Sequence, residues 1–292
     1  MKISAKDARV NSDKAGLGFS AEARSWLFLG LTLGLTWLFW FLAAALDQAV
    51  PPWVVTILHF LGGLMPLAVA VGLTHLKHDR PFQRDYWRRI VDFRRISPGW
   101  YAVIFLLFPV KSGLAALIAV LQGGQGIAPE AAAGLADQPL LIVPTLIFWL
   151  LFGPLPEEPG WRGYALDGLQ VRHSALTASL MVGVVWSLWH LPLFLIAGTF
   201  QAEQVGFGTL GFWFYMVSLP IEAILYTWIY NNTGRSTLSA ILFHFVGNAF
   251  GELFALSAQA EVYNFVLSIV AALLVVVIWR PETLTRDGRR RS

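Results

Sequence analysis

No cysteine occurs in this chain, and only 13% of its 292 residues are charged. The first absence removes disulfide frameworks and cysteine-ligated zinc, although it says little about redox compartment. The second is more restrictive, because a soluble globular domain carries roughly 25% charged residues. The chain has about half the charge that a water-facing surface uses, which argues against a soluble protein. In its place stand a hydrophobic content of 56% and a mean hydropathy of +0.60. Thirteen Trp and 21 Phe suit a lipid-facing exterior with aromatic belts at its boundaries.

Crossing a hydrocarbon core of about 30 Å takes roughly 20 apolar residues. Eight runs approach that length: 25–46, 53–75, 100–121, 139–155, 174–197, 208–229, 238–257 and 262–279. The first is too long and too aromatic for a cleaved signal segment, and no small-residue cleavage site follows it. The expected fold is therefore all-α, a polytopic membrane helical bundle of about eight transmembrane helices with both termini cytoplasmic. No repeat, low-complexity tract or long linker divides it. The expected organisation is a polar, loosely ordered N-terminal tail over 1–24, one transmembrane domain over 25–279 and a basic tail over 280–292.

The orientation follows from Lys and Arg. In an eight-span arrangement Lys2, Lys6, Arg9, Lys14 and Arg24 lie on the same side as Lys77, Arg80, Arg84, Arg88, Arg89, Arg94 and Arg95. Arg162, Arg172, Arg235, Arg280, Arg286, Arg289, Arg290 and Arg291 join them, and the positive-inside rule makes that side cytoplasmic. The opposite connections carry only acids: Asp47, Glu130, Asp137, Glu203 and Glu261. Topology thus accounts for the net charge of +3 and pI near 9.3, and no nucleic-acid partner is expected. The connection over 77–99 mixes this charge with Tyr86, Trp87, Ile90, Val91 and Phe93. It reads equally as an amphipathic helix on anionic headgroups or as a solvated positive loop.

An ionisable group within a span costs several kcal/mol, so it points to function by default. Three clusters qualify. In the first, three prolines and Gly153 break a helix around Glu157 and Glu158, and a new helix can begin with Pro159 at its first position. Glu158 and Arg162 then share a face as an ion pair, while Glu157 points about 100° away, free to serve as a general base. Taken alone, an exposed turn explains these acids equally well. In the second, His190 lies one turn beyond Trp186 in an apolar run, suited to act as base or ligand, or simply to bond a neighbouring helix. In the third, His244 and Asn248 stack on one helix face and can donate to a developing oxyanion, or serve as interhelical polar glue. At 1.5 Å per residue the clusters meet only if the hairpin over 167–173 projects about 10–15 Å into the cytoplasm. His59, Lys111, Glu222 and Glu252 are isolated and are assigned no catalytic role; Lys111 is the expected partner of Glu222.

Together, Glu157-Glu158-x-x-x-Arg162, Trp186-x-x-x-His190 and His244-x-x-x-Asn248 resemble the CAAX protease and bacteriocin-processing (Abi) family of intramembrane glutamate proteases. The resemblance covers roughly 139–250, and Trp186 stands where that family more often has phenylalanine. It implies a membrane-embedded peptidase in which Glu157 and His190 activate a water. His244 and Asn248 would stabilise the oxyanion, with Glu158, Arg162 and Trp186 as structural support. No cofactor is expected, and a metal-dependent version stays open, although no HExxH pattern occurs. The implied partners are membrane lipids and a peptide or lipidated-protein substrate entering from the cytoplasmic side. The implied location is a bacterial inner membrane. A non-proteolytic scaffold, bacteriocin-immunity partner or transporter component is the alternative from another class.

Overall fold

The computed structural model describes residues 19–76, 80–128, 139–286 and 288, and among these no strand occurs. Residues 1–18, Lys77, the acids Glu130 and Asp137, and Arg289, Arg290 and Arg291 lie outside the described residues. Six helical segments are long and apolar enough to cross a membrane: α1 (Ala21–Leu46), α2 (Pro52–Leu76), α4 (Pro98–Leu121), α8 (Ala175–Trp189, continued as a 3-10 helix through Leu195), α9 (Leu210–Asn232) and α11 (Ala258–Trp279). Large apolar side chains such as Leu38, Val110 and Val277 point outward on these helices. A hydrocarbon solvent takes such surface at no cost, whereas water does not.

The other two apolar runs fold differently. Run 139–155 forms α5 (Ile142–Phe152), broken at Gly153 and followed by the short helix α6 (Pro154–Gly160). Run 238–257 contributes α10 (Thr237–Leu253), whose 17 residues reach only about 25 Å. The connection over 77–99 does contain an amphipathic helix, α3 (Arg80–Val91).

Close backbone approach fixes α6 against α1 and α2. Helix α2 carries an internal Pro66, and a Cβ on Gly160 would lie 2.8 Å from the Pro66 carbonyl oxygen and 2.7 Å from the Phe28 ring. Only glycine lets α6 sit this near to α1 and α2. Those two helices are themselves cross-linked, since Thr36 donates to the Gly62 carbonyl (2.9 Å) and Trp40 to that of His59 (2.8 Å). Trp189 of α8 donates to the Thr36 hydroxyl (2.8 Å), so α8 is keyed to the same pair.

One polar face of the bundle is built around Asp167, in α7 (Leu166–Leu169). Arg89 of α3 donates to it at 2.7 Å and Tyr230 at 3.0 Å, and Arg235 grips it with both Nε and Nη2. The expected outward-facing basic segment therefore turns one arginine inward: Arg89 is 1% exposed. Pairing charges there satisfies the buried guanidinium, which hydropathy alone does not foresee. The hairpin beyond α7 ends on the same face, where Glu22 of α1 binds Arg172 (3.2 Å) and His173 (2.9 Å).

Part of the segment expected as a basic tail packs against the bundle. Carbonyls of Pro281 and Glu282 accept from Leu176 (3.0 Å) and Ala175 (2.9 Å), satisfying first-turn donors of α8 that have no partner within the helix. Asn231 and Asn232 donate to the carbonyls of Thr283 (2.9 Å) and Leu284 (2.7 Å), and the Leu284 side chain is fully buried. Both described ends of the chain thus lie against the Asp167 face.

Two outcomes follow for stability. Gly160→Ala is expected to cost about 1–3 kcal/mol by overpacking, whereas Gly63→Ala, with open space around its Cβ, is expected to be near neutral; thermal unfolding in detergent measures both. Burial alone would raise the Asp167 carboxyl, but Arg235 and Arg89 outweigh it and hold it below its ordinary 3.8. This stabilisation is complete above the unfolded-state pKa and is lost as pH falls through the lower native-state value. Asp167→Asn is expected to lose about 2–3 kcal/mol at neutral pH, with the two unfolding curves converging in acid below the usual carboxylate range.

Candidate active site

Gly153 is the break point, with φ −121° and ψ −96°, and the helix restarts immediately with Pro154 at its first position. The restart expected at Pro159 is thus five residues late. Pro159 lies inside the helix, where its missing N–H and ring crowd the ladder, and the next turn, Trp161–Ala165, widens to a π-helix. Both glutamates are consequently helical, and both are buried: Glu157 is 6% exposed and Glu158 0%.

The expected ion pair forms. Arg162 Nη1 donates to both Glu158 oxygens, at 2.9 and 3.1 Å. The Arg162 guanidinium lies over the rings of Trp186 (4.6 Å) and Tyr226 (4.2 Å), so its faces meet π-electrons while its edge meets a carboxylate. Glu158 is shared a second time, with His244 Nδ1 at 2.9 Å. A carboxylate accepts, so Nδ1 carries the proton and Nε2 is the nitrogen left for other chemistry.

Glu157 faces elsewhere, as its place in the helix predicts. Its Oε2 accepts from the indole N–H of Trp186 at 2.7 Å. The Trp186 carbonyl meets His190 Nδ1 at 2.8 Å. A carbonyl only accepts, so this bond places a proton on Nδ1 and, in the neutral ring, leaves Nε2 as an acceptor. His190 is the C-terminal cap of α8 rather than a mid-helix residue, and its ring packs on Tyr215 at 5.6 Å. The Trp186 ring also stands edge-on to His244, 5.5 Å between centroids. One indole thus touches Glu157, His190, His244 and Arg162.

Asn248 lies one turn beyond His244 and is half-buried. Its Nδ2 is 3.1 Å from the position a Cβ on Gly153 would take, so the carboxamide sits directly over the helix break. The fold therefore gathers Glu157, Glu158, Arg162, Trp186, His190 and His244 into one linked set, with Asn248 at its edge. Glu157 and His190 share no direct hydrogen bond; they are joined through Trp186. Among the described residues no three His, Asp or Glu side chains converge as metal donors do.

Comparison with known proteins bears on the same segment. A family model described as Type II CAAX prenyl endopeptidase Rce1-like matches residues 139–250, from α5 through most of α10. CAAX prenyl protease 2 of Methanococcus maripaludis is 32% identical over 253 residues, covering 86% of this chain and 92% of its own length. The chain belongs to the Rce1-like CAAX prenyl endopeptidase family. It is an integral, multi-pass membrane peptidase that hydrolyses peptide bonds. A bacterial location gains no support from this relative, which is archaeal.

Several site-shaping residues were not expected from sequence. Tyr226 packs against Arg162, Trp186 and His244, and Tyr86 and Arg89 donate to the carbonyls of Pro159 (3.3 Å) and Gly163 (3.0 Å) on either side of Arg162. A weak signal existed for Tyr226: Glu222, Tyr226 and Tyr230 recur every fourth residue, a polar-tipped stripe on one face of α9. The expected Lys111–Glu222 pair is present at 3.0 Å, with Ser268 as an unanticipated third member at 2.6 Å from Lys111.

Trp186→Phe keeps the ring but deletes the N–H. A hydrogen bond to a charged group contributes roughly 1.5–3 kcal/mol. The variant is expected to fold and to lose about tenfold or more in kcat with little change in KM, whereas Trp186→Leu is expected also to lose thermal stability. Steady-state cleavage assays paired with melting curves read both.

Proposed function

We propose that this protein cleaves a prenylated peptide within the membrane, using a water activated by Glu157 and His190. The observation that carries the reading is that one residue, Trp186, orients both groups, with its indole N–H on Glu157 and its backbone carbonyl on His190. Glu157 has one carboxylate oxygen committed to that indole and a second available to accept a proton from water. His190 offers Nε2 as a second acceptor. The water oxygen attacks the scissile carbonyl as its proton passes to Glu157. The resulting oxyanion is met by His244 and by the Asn248 carboxamide. His244 donates through Nε2 only when its ring is doubly protonated, and the Glu158 carboxylate on Nδ1 is the counter-charge for that state. When the tetrahedral intermediate collapses, the C–N bond breaks and the departing amine takes the proton held by Glu157.

Glu158 and Arg162 serve here as positioning groups, because both Glu158 oxygens accept from Arg162 Nη1 and one of them also meets His244 Nδ1. Substrate enters from the side that bears Asp167, Arg235 and both described termini, the side on which Lys and Arg concentrate. A lipidated substrate suits a site flanked by lipid-facing helices, since the attached chain stays in hydrocarbon while the peptide reaches polar groups. The relative's name supports a prenylated protein as the substrate class.

The test is cleavage of a farnesylated, CAAX-terminated peptide by the purified protein in bilayer nanodiscs, with and without chelator. Glu157→Ala and His190→Ala are each expected to lower kcat/KM by at least about a hundredfold, the usual scale for losing a general base. Cleavage that persists in both variants overturns the assignment of the water-activating groups. Loss of cleavage on chelation favours the metal-dependent version instead.

A further inference from the structure

Helix α3 joins the ends of α2 and α4, two of the long apolar helices, and Gln83 ties it to the end of α2 through the His75 carbonyl (3.4 Å). It therefore lies where hydrocarbon gives way to headgroups. The helix has two faces. Inward, Tyr86 and Arg89 hold the carbonyls of Pro159 and Gly163 that bracket Arg162. Outward, Trp87 and Val91 are exposed, 40% and 69%, and Phe93 continues the apolar edge just past the helix end. Aromatic and aliphatic groups in this setting enter the interface of a bilayer.

The same outward face is cationic. Arg80, Arg84 and Arg88 recur every fourth residue and line one shallow groove together with Pro81 and Asp85. Asp85 is the only acid in the helix, and it is occupied by Arg89 (3.1 Å) and Arg95 (2.9 Å). Arg88 reaches Asp92 only at 3.9 Å with 65% of its side chain exposed, and Arg80 and Arg84 form no ion pair among the described residues. Three guanidiniums interleaved with Trp87 and Val91 match a layer of phosphates above acyl chains, the long stems lying along the apolar groups while the heads reach the phosphates. A soluble acidic partner would leave Trp87, Val91 and Phe93 in water.

We propose that Arg80, Arg84 and Arg88 bind the phosphates of anionic phospholipid headgroups, and that this binding seats α3 so that Tyr86 and Arg89 hold the turn carrying Arg162. The binding half stands on α3 alone; the effect on turnover rests on the protease reading above. Each arginine near an anionic surface contributes about fivefold to binding, from about 1 kcal/mol apiece.

The absence of cysteine gives a clean test, because Val91→Cys creates one labelling site. A fluorophore there is quenched by brominated lipid in nanodiscs of phosphatidylcholine alone or mixed with phosphatidylglycerol. Brominated phosphatidylglycerol is expected to quench more strongly than the brominated choline lipid, and high salt is expected to shrink the difference. Arg80→Gln, Arg84→Gln and Arg88→Gln combined is expected to abolish it without altering the melting temperature, since all three side chains are exposed. In parallel, the wild type is expected to cleave the farnesylated peptide several-fold faster in the anionic bilayer, and the triple variant equally in both. Equal quenching by the two lipids overturns the headgroup site. A quenching difference with equal cleavage rates overturns the coupling to the active site. A loss of cleavage in the triple variant that is the same in both bilayers shows the arginines holding an acidic part of the substrate, and also overturns the proposal. No cleavage in any bilayer counts against the protease reading, while the quenching comparison still decides the lipid site.

Discussion

Glu158 is a carboxylate with no exposed surface, carried by a helix whose surroundings are hydrocarbon and packed side chains. Removing such a charge from water costs several kcal/mol unless it is paired and fully hydrogen-bonded. The site is arranged around meeting that demand. Arg162, one turn on, supplies two bonds from a single nitrogen, and His244 supplies a third from a helix 86 residues away in sequence. Arg162 brings its own burial cost, which the faces of Trp186 and Tyr226 reduce. The same indole that shields Arg162 binds Glu157, and the backbone carbonyl of that residue orients His190. Satisfying one buried charge thus places every group of the proposed mechanism except Asn248, which is set by its position one turn beyond His244.

The broken helix is what allows two adjacent glutamates to serve different ends. In a regular span, α5 and α6 would have continued past Gly153 with no room for Asn248 above the break. The glycine and three prolines interrupt the ladder, and α6 is held in place by contacts at both ends. Gly160 lets it press against Pro66 and Phe28, and Tyr86 and Arg89 take the carbonyls beyond it. Asp167 closes the structure below by drawing in α3, α9 and the turn before α10. Two charged layers result, one at the site and one at the bundle's polar face, joined by the π-helical turn.

Lys111, Glu222 and Ser268 form a further buried polar group that joins α4, α9 and α11 away from the site. Among the described residues, none of the hydrogen bonds within it reaches a motif residue. Its place in the fold is that of a specific link between helices that otherwise meet through apolar side chains, where lipid offers no hydrophobic preference for one packing over another.

Much of this was written locally in the sequence. The apolar runs identified helices because hydropathy is a sum over neighbours, and the Glu158–Arg162 pair followed from i,i+4 geometry. The three motifs pointed to the family, and the break near Gly153 followed from proline chemistry. The run at 238–257 and the restart at Pro154 show where local reasoning falls short, since helix ends depend on what packs beside them. Helix rotation is the larger gap. A helix that is apolar all round has no sequence-marked inner face, so nothing local told which side of α8 would place Trp186 on Glu157, or that Tyr226 would cover Arg162. The segment of α3 read equally as an amphipathic helix or as a solvated loop, and the helix that forms carries arginines on both its buried and its exposed faces. Composition therefore determined that this is a membrane helical bundle, and its motifs determined which residues to watch. Only tertiary packing decided which nitrogen meets which oxygen, because those contacts join segments that share no local geometry.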